Sequence, residues 1–142
     1  MAVDSWAFSR HFVFAMLLLA ESVCDLEWRE CPDVFHLLML TLLAARPMNT
    51  GALALSLLQA LPPGGIFLAA SVLNPGKLGG ADVKLAAVAG ALLGWRCALW
   101  GLCTGIVIAL ARERKRPPGE GFALIPYLSL GLSFINIGRI LL

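Results

Sequence analysis

Charge is scarce in this chain. Only 14% of its 142 residues are Asp, Glu, Lys or Arg, against about 25% in ordinary soluble domains. With 59% hydrophobic residues and a mean hydropathy of +0.83, this excludes a soluble globular domain. It points to a polytopic, all-α membrane protein in contact with the lipid bilayer. The net charge of +2 is too small to point to a nucleic-acid partner. Cysteine is also sparse. Cys24, Cys31, Cys97 and Cys103 include no CxxC pair, which excludes a zinc ribbon and leaves them as small apolar fillers. There are two histidines. His11 fits the outer interface. His36, just past the first polar loop, reads as a polar residue satisfied by its neighbours rather than a ligand, so no metal site is expected. No internal repeat or low-complexity tract is present.

What the chain has in quantity is apolar sequence, in about six blocks over roughly 6–24, 33–45, 51–73, 83–95, 97–111 and 122–142. A span needs about 20 residues to cross ~30 Å of hydrocarbon. Blocks one, three and six reach that length; the others borrow flanking residues or thin the bilayer locally. We therefore expect one domain over residues 1–142 with about six transmembrane helices. The first block, "RHFVFAMLLLAES", has the look of a signal peptide, but its removal would cost a span, so it is read as a retained helix. Only Arg96 separates blocks four and five. The basic loop "RERKR", 112–116, belongs on the cytoplasmic side. If the loop after block one is cytoplasmic too, that placement requires blocks four and five to be two spans. Arg29, Lys77, Lys84, Arg112, Arg114, Lys115 and Arg116 then lie inside, and Arg10, Arg46, Arg96 and Arg139 outside. Within block three, "LPPGG" (61–65) interrupts the helical ladder and is expected to kink a helix. Trp6, Trp28, Trp95, Trp100 and Tyr127 suit interfacial anchoring. Gln59, Asn74 and Asn136 suit interhelical hydrogen bonds.

Two carboxylates stand out against this background. Asp25 closes block one in "ESVCDLEWRECPD", and Asp82 opens block four in "KLGGADVKLAAVAGALLGW". Both follow odd-numbered spans, so they share a side of the membrane. A carboxylate at the edge of hydrocarbon is costly to ionise. Two brought together share one proton: the ionised member activates a water while the protonated member polarises a carbonyl, which is the chemistry of aspartic proteolysis. The neighbouring glycines would let backbone approach an extended substrate closely. The same residues also suit plainer roles, Asp82 as a helix cap favoured by the dipole and Asp25 as a solvated side chain. Glu21, four residues before Asp25 and on the same helical face, fits either a groove residue influencing Asp25 or a boundary residue in solvent.

"GGADVKL" resembles the GxGD-type motif of the type IV prepilin peptidase family. In that family an aspartate is followed seven residues on by the proline of Ile-Pro-Asn; here Asp25 is followed by Cys31-Pro32-Asp33. "ALIPYLSLG" (123–131) is similar to the opening of the family's last helix. The matches run in order along nearly the whole chain. Three positions depart: Ala81 replaces the glycine before the aspartate, Cys31 the isoleucine and Asp33 the asparagine. The resemblance implies Asp25 and Asp82 as a catalytic dyad, with Gly79, Gly80 and Lys84 as supporting positions.

It also implies a membrane aspartic endopeptidase of the prokaryotic inner (plasma) membrane. Such an enzyme removes basic leaders from prepilin or pseudopilin substrates at the cytoplasmic boundary and needs no cofactor. The chain lacks the length and paired CxxC motifs of the larger members. It is similar to the short, peptidase-only form of tight-adherence pili, and no methyltransferase activity or use of S-adenosylmethionine is expected. Two other readings of the aspartates stay open. A small proton-coupled transporter predicts flux that depends on them and no cleavage. A non-catalytic pilus scaffold predicts assembly indifferent to their replacement. Other intramembrane aspartic proteases carry Tyr-Asp in the first motif, which Cys24-Asp25 does not match.

Overall fold

A computed structural model describes residues 5–29, 31–44, 50–75, 78–114 and 122–141. These residues form seven α-helices and no strand: α1 (Ser5–Trp28), α2 (Asp33–Ala44), α3 (Thr50–Leu58), α4 (Leu61–Leu73), α5 (Gly80–Leu93), α6 (Trp95–Glu113) and α7 (Ile125–Leu141).

The breaks follow local chemistry. α1 ends where Arg29 takes φ 52°, and Pro32 bars its continuation. Asp33 then opens α2 with an acid in the first turn, where the helix dipole favours it. Block three becomes two helices joined by Gln59 and Ala60. Ala60 keeps helical dihedrals, and Pro62 and Pro63 occupy the first turn of α4, where missing N–H groups cost least. The path bends rather than reverses: Gln59 N–H still bonds Leu55 O at 3.0 Å, and Thr50–Leu73 remains a continuous apolar stretch of 24 residues. The expected kink is thus present, and it raises the helix count from six to seven. Blocks four and five are two helices, but the break falls at Gly94 rather than Arg96. Gly94 has φ 85°, a left-handed conformation that glycine adopts without penalty. Arg96 lies within α6, its guanidinium 5.2 Å from the centre of the Trp95 ring.

Cross-links between helices fix two ends of the bundle. At one end Ile125 N bonds the Asp25 carboxylate, Lys84 pairs with Asp33, and Tyr127 bonds Glu113. This end therefore gathers the C-termini of α1 and α6 and the N-termini of α2, α5 and α7. The opposite end holds the His11–Asn136 contact between α1 and α7 and the Gly94 turn. α1, α2, α4, α5, α6 and α7 each run between these ends, with α3 leading into α4.

α5 is the central post, packing against α2, α3, α4, α6 and α7. Its length is mostly buried, from Asp82 through Leu93. Leu18, Met39, Leu85, Leu102, Leu128 and Leu132 fill the core. Large apolar residues face outward instead, among them Phe12, Leu19, Leu68, Val72, Trp100, Val107 and Phe134. A soluble monomer rarely shows so much exposed apolar surface; a lipid-facing bundle does. Thr50–Leu73 and Trp95–Glu113 are long and apolar enough to cross a bilayer, and the apolar helices Asp33–Leu43 and Ile125–Gly138 are shorter. α1 has the length, but Arg10, Glu21, Asp25 and Glu27 interrupt its apolar run. Trp28, Trp95 and Trp100 are exposed, consistent with anchoring. Arg46, Lys77, Lys115 and Arg116 lie outside the described residues, as do the side chains of Trp6 and Arg139.

Candidate active site

The first feature of the site is the half-turn before α5. Gly79 takes an extended conformation (φ −78°, ψ 156°) as N-cap, and Asp82, three residues on, turns back to receive its N–H. Asp82 Oδ2 accepts from Gly79 N at 2.9 Å. This is one half of a capping box, because Gly79 has no side chain to complete the other. The cap reading of Asp82 is therefore correct, but it uses only one oxygen. Asp82 is 6% exposed, and its Oδ1 is buried with no hydrogen-bond partner. An unsatisfied buried carboxylate oxygen is costly.

Asp25 stands in the last turn of α1 and is half-buried. Its Oδ2 accepts the backbone N–H of Ile125 at 3.3 Å. That N–H is one of the orphan donors at the start of α7. α1 and α5 pack on common neighbours, α2 and α7, and so bring the two aspartates to the same end of the bundle.

The supporting motif positions are divided. Gly79 and Gly80 are exposed, and a side chain added to Gly80 would meet nothing within 4 Å. They leave bare backbone beside Asp82. Ala81 sits in regular helix against the core, where alanine is the best-tolerated residue. Lys84 points away from the aspartates. It joins Asp33 of α2 at 2.5 Å, with both side chains more than half exposed, and so links α5 to α2 at the rim.

Sequence reasoning missed a second cluster. Glu21 is fully buried (0% exposed), which rules out the reading of a solvated boundary residue, and His36 is 4% exposed. Cys31 Sγ donates to Glu21 Oε1 at 2.9 Å, and His36 Nε2 lies 2.9 Å from the same oxygen. Burial, and then the Glu21 carboxylate, push the Cys31 thiol well above its ordinary range. The i, i+4 relation of Glu21 to Asp25 was visible in sequence. The return of Cys31 and His36 to Glu21 depends on the turn at Arg29–Pro32, which carries no periodicity.

Of the remaining polar residues, Asn136 is buried and bridges α7 to α1 through His11, donating to His11 O at 3.0 Å and lying 2.6 Å from His11 Nδ1. Among the described residues Asn74 bonds within its own segment, to Ala70 O at 3.2 Å.

Among known proteins, a sequence model of the type IV leader peptidase family matches residues 12–113. No curated protein and no solved structure matches the chain. The matched region runs from α1 to the end of α6 and contains Asp25, Cys31-Pro32-Asp33 and "GGADVKL"; "ALIPYLSLG" lies beyond it. It covers more than two-thirds of the chain, so the chain belongs to the type IV leader peptidase family.

Proposed function

We propose that this chain is a multi-pass membrane aspartic endopeptidase, with Asp25 and Asp82 as its catalytic pair, and that it cleaves the leader from prepilin-like substrates. Membership of the leader peptidase family gives the general role. One observation carries the assignment of residues. Two carboxylates from helices far apart in sequence stand at the same end of the bundle, and Asp82 keeps a buried oxygen without a hydrogen-bond partner.

The chemistry follows from two carboxyl groups sharing a proton. The ionised member removes a proton from water, which attacks the peptide carbonyl. The protonated member donates to the carbonyl oxygen, giving a gem-diol; as this collapses, the member that took the water proton passes it to the leaving amine and the other recovers its proton from a diol hydroxyl. No covalent intermediate forms. Bare backbone at Gly79 and Gly80 gives an extended peptide room to lie beside Asp82.

The end carrying the aspartates also carries Arg29, Lys84, Arg112 and Arg114, while Arg10 and Arg96 lie toward the other. This bias supports a cytoplasmic active site. A substrate with a basic leader and a long apolar stem would then present its cleavage site at the depth of Asp25 and Asp82, with the stem in lipid beside the outward apolar faces. Co-expression with such a substrate tests the reading. A mass loss equal to the leader is expected. Unchanged substrate mass, together with proton flux through the protein, would favour the transporter reading instead.

A further inference from the structure

The cluster of Glu21, Cys31 and His36 takes no part in the proposed hydrolysis, yet Glu21 and His36 are more deeply buried than Asp25. One ligand atom from each residue lies within 4.8 Å of the others. Glu21 comes from α1, Cys31 from the α1–α2 connection and His36 from the first turn of α2, so the three fasten that turn from both sides. His36 is the only ionic partner of Glu21 among the described residues. An ionised carboxylate removed from water needs strong compensation.

A plain Glu–His pair accounts for only part of the geometry. His36 Nε2 sits 2.9 Å from Glu21 Oε1, but its N–H is not aimed at that oxygen, and neither ring nitrogen makes a hydrogen bond. Glu21 Oε2 is buried and unpartnered as well. Close approach without hydrogen-bond direction is what ligand atoms show around a shared third centre. A thiol, an imidazole and a carboxylate form a ligand set suited to zinc. Hard cations such as magnesium and calcium select oxygen instead.

We propose that Glu21, Cys31 and His36 bind a zinc ion that fastens α1, one helical turn before Asp25, to the start of α2. The three residues supply three ligands, with the fourth position filled by the second Glu21 oxygen or by water. Binding releases the Cys31 proton to solvent, and the sulfur coordinates as thiolate. The ion's role is to hold the end of α1, and the site is independent of whether Asp25 and Asp82 hydrolyse peptides.

The test uses the full chain, purified in detergent on a histidine-free tag without chelator. Elemental analysis is expected to find about one zinc per chain, and exchange into cobalt(II) to give the visible bands of a four-coordinate site with a thiolate-to-cobalt charge-transfer band. Cys31→Ser should remove the charge-transfer band, while joint replacement of Cys24, Cys97 and Cys103 by Ser keeps it. His36→Gln should lower affinity by at least about tenfold, since losing even an outer-shell partner costs 10–100-fold. Cys31→Ser is nearly isosteric, so its spectrum is informative even if His36→Gln fails to fold. Absence of both zinc and a cobalt spectrum in the wild type overturns the proposal, as does a charge-transfer band that survives Cys31→Ser.

Discussion

Ile125 donates its backbone N–H to Asp25 Oδ2 at 3.3 Å, so one oxygen of a proposed catalytic residue also fastens the start of α7 to the end of α1. Asp25→Ala removes the acceptor and is expected to cost about 1–1.5 kcal/mol, the low end for a bond to a charged group given its length. Asp25→Asn keeps an acceptor oxygen and is expected to unfold close to the wild type. Reversible unfolding in mixed micelles measures both. Equal losses in the two variants would show that this bond does not hold the helices.

The opposite end of the α1–α7 pair depends on Asn136, which is 1% exposed and bonded to His11. Asn136→Ala removes both contacts with His11, and about 1–3 kcal/mol of stability should be lost. The same unfolding measurement decides it, and a change below about 0.5 kcal/mol would contradict the bridge.

α4 crosses α5 at Gly90 so closely that a Cβ there would lie 2.5 Å from Pro63 Cγ and 2.6 Å from Gln59 O. Gly90→Ala is expected to destabilise by about 1–3 kcal/mol through overpacking. Gly65, one turn into α4, faces open space, and Gly65→Ala should stabilise by up to about 1 kcal/mol. Opposite signs at two helical glycines, read from thermal midpoints in detergent, check the packing. Equal signs would place the α4–α5 crossing elsewhere.

Lys84 and Asp33 form an exposed ion pair, and such pairs contribute about 0–1 kcal/mol. Lys84→Met should shift stability by less than about 1 kcal/mol, and by less again in high salt. A larger loss would mean that Lys84 has a further buried role.

Much of this structure was readable from residue order. The helical blocks, the proline kink, the separation of blocks four and five, and the common end for Asp25 and Asp82 follow from hydropathy and parity. Hydropathy placed the break between blocks four and five at the charged residue, Arg96. The backbone instead turns at Gly94, because a left-handed conformation and not a charge ends α5. Lys84 is expected only as a supporting motif position; two residues along a helix from Asp82 is about 200° of rotation, and its side chain pairs with Asp33. The Glu21–Cys31–His36 cluster depends on the irregular turn at Arg29–Pro32, where no periodic signal operates.

The central claim is that Asp25 and Asp82 act as one hydrolytic unit. The most direct measurement is the fraction of a co-expressed prepilin-like substrate that loses its leader, read by mass, with the wild type, Asp25→Asn, Asp82→Asn and the double variant at matched membrane levels. Each single variant should fall by at least about a hundredfold, and the double should fall no further than the worse single, because groups acting together are not additive. Near-normal cleavage by either single variant would contradict the account.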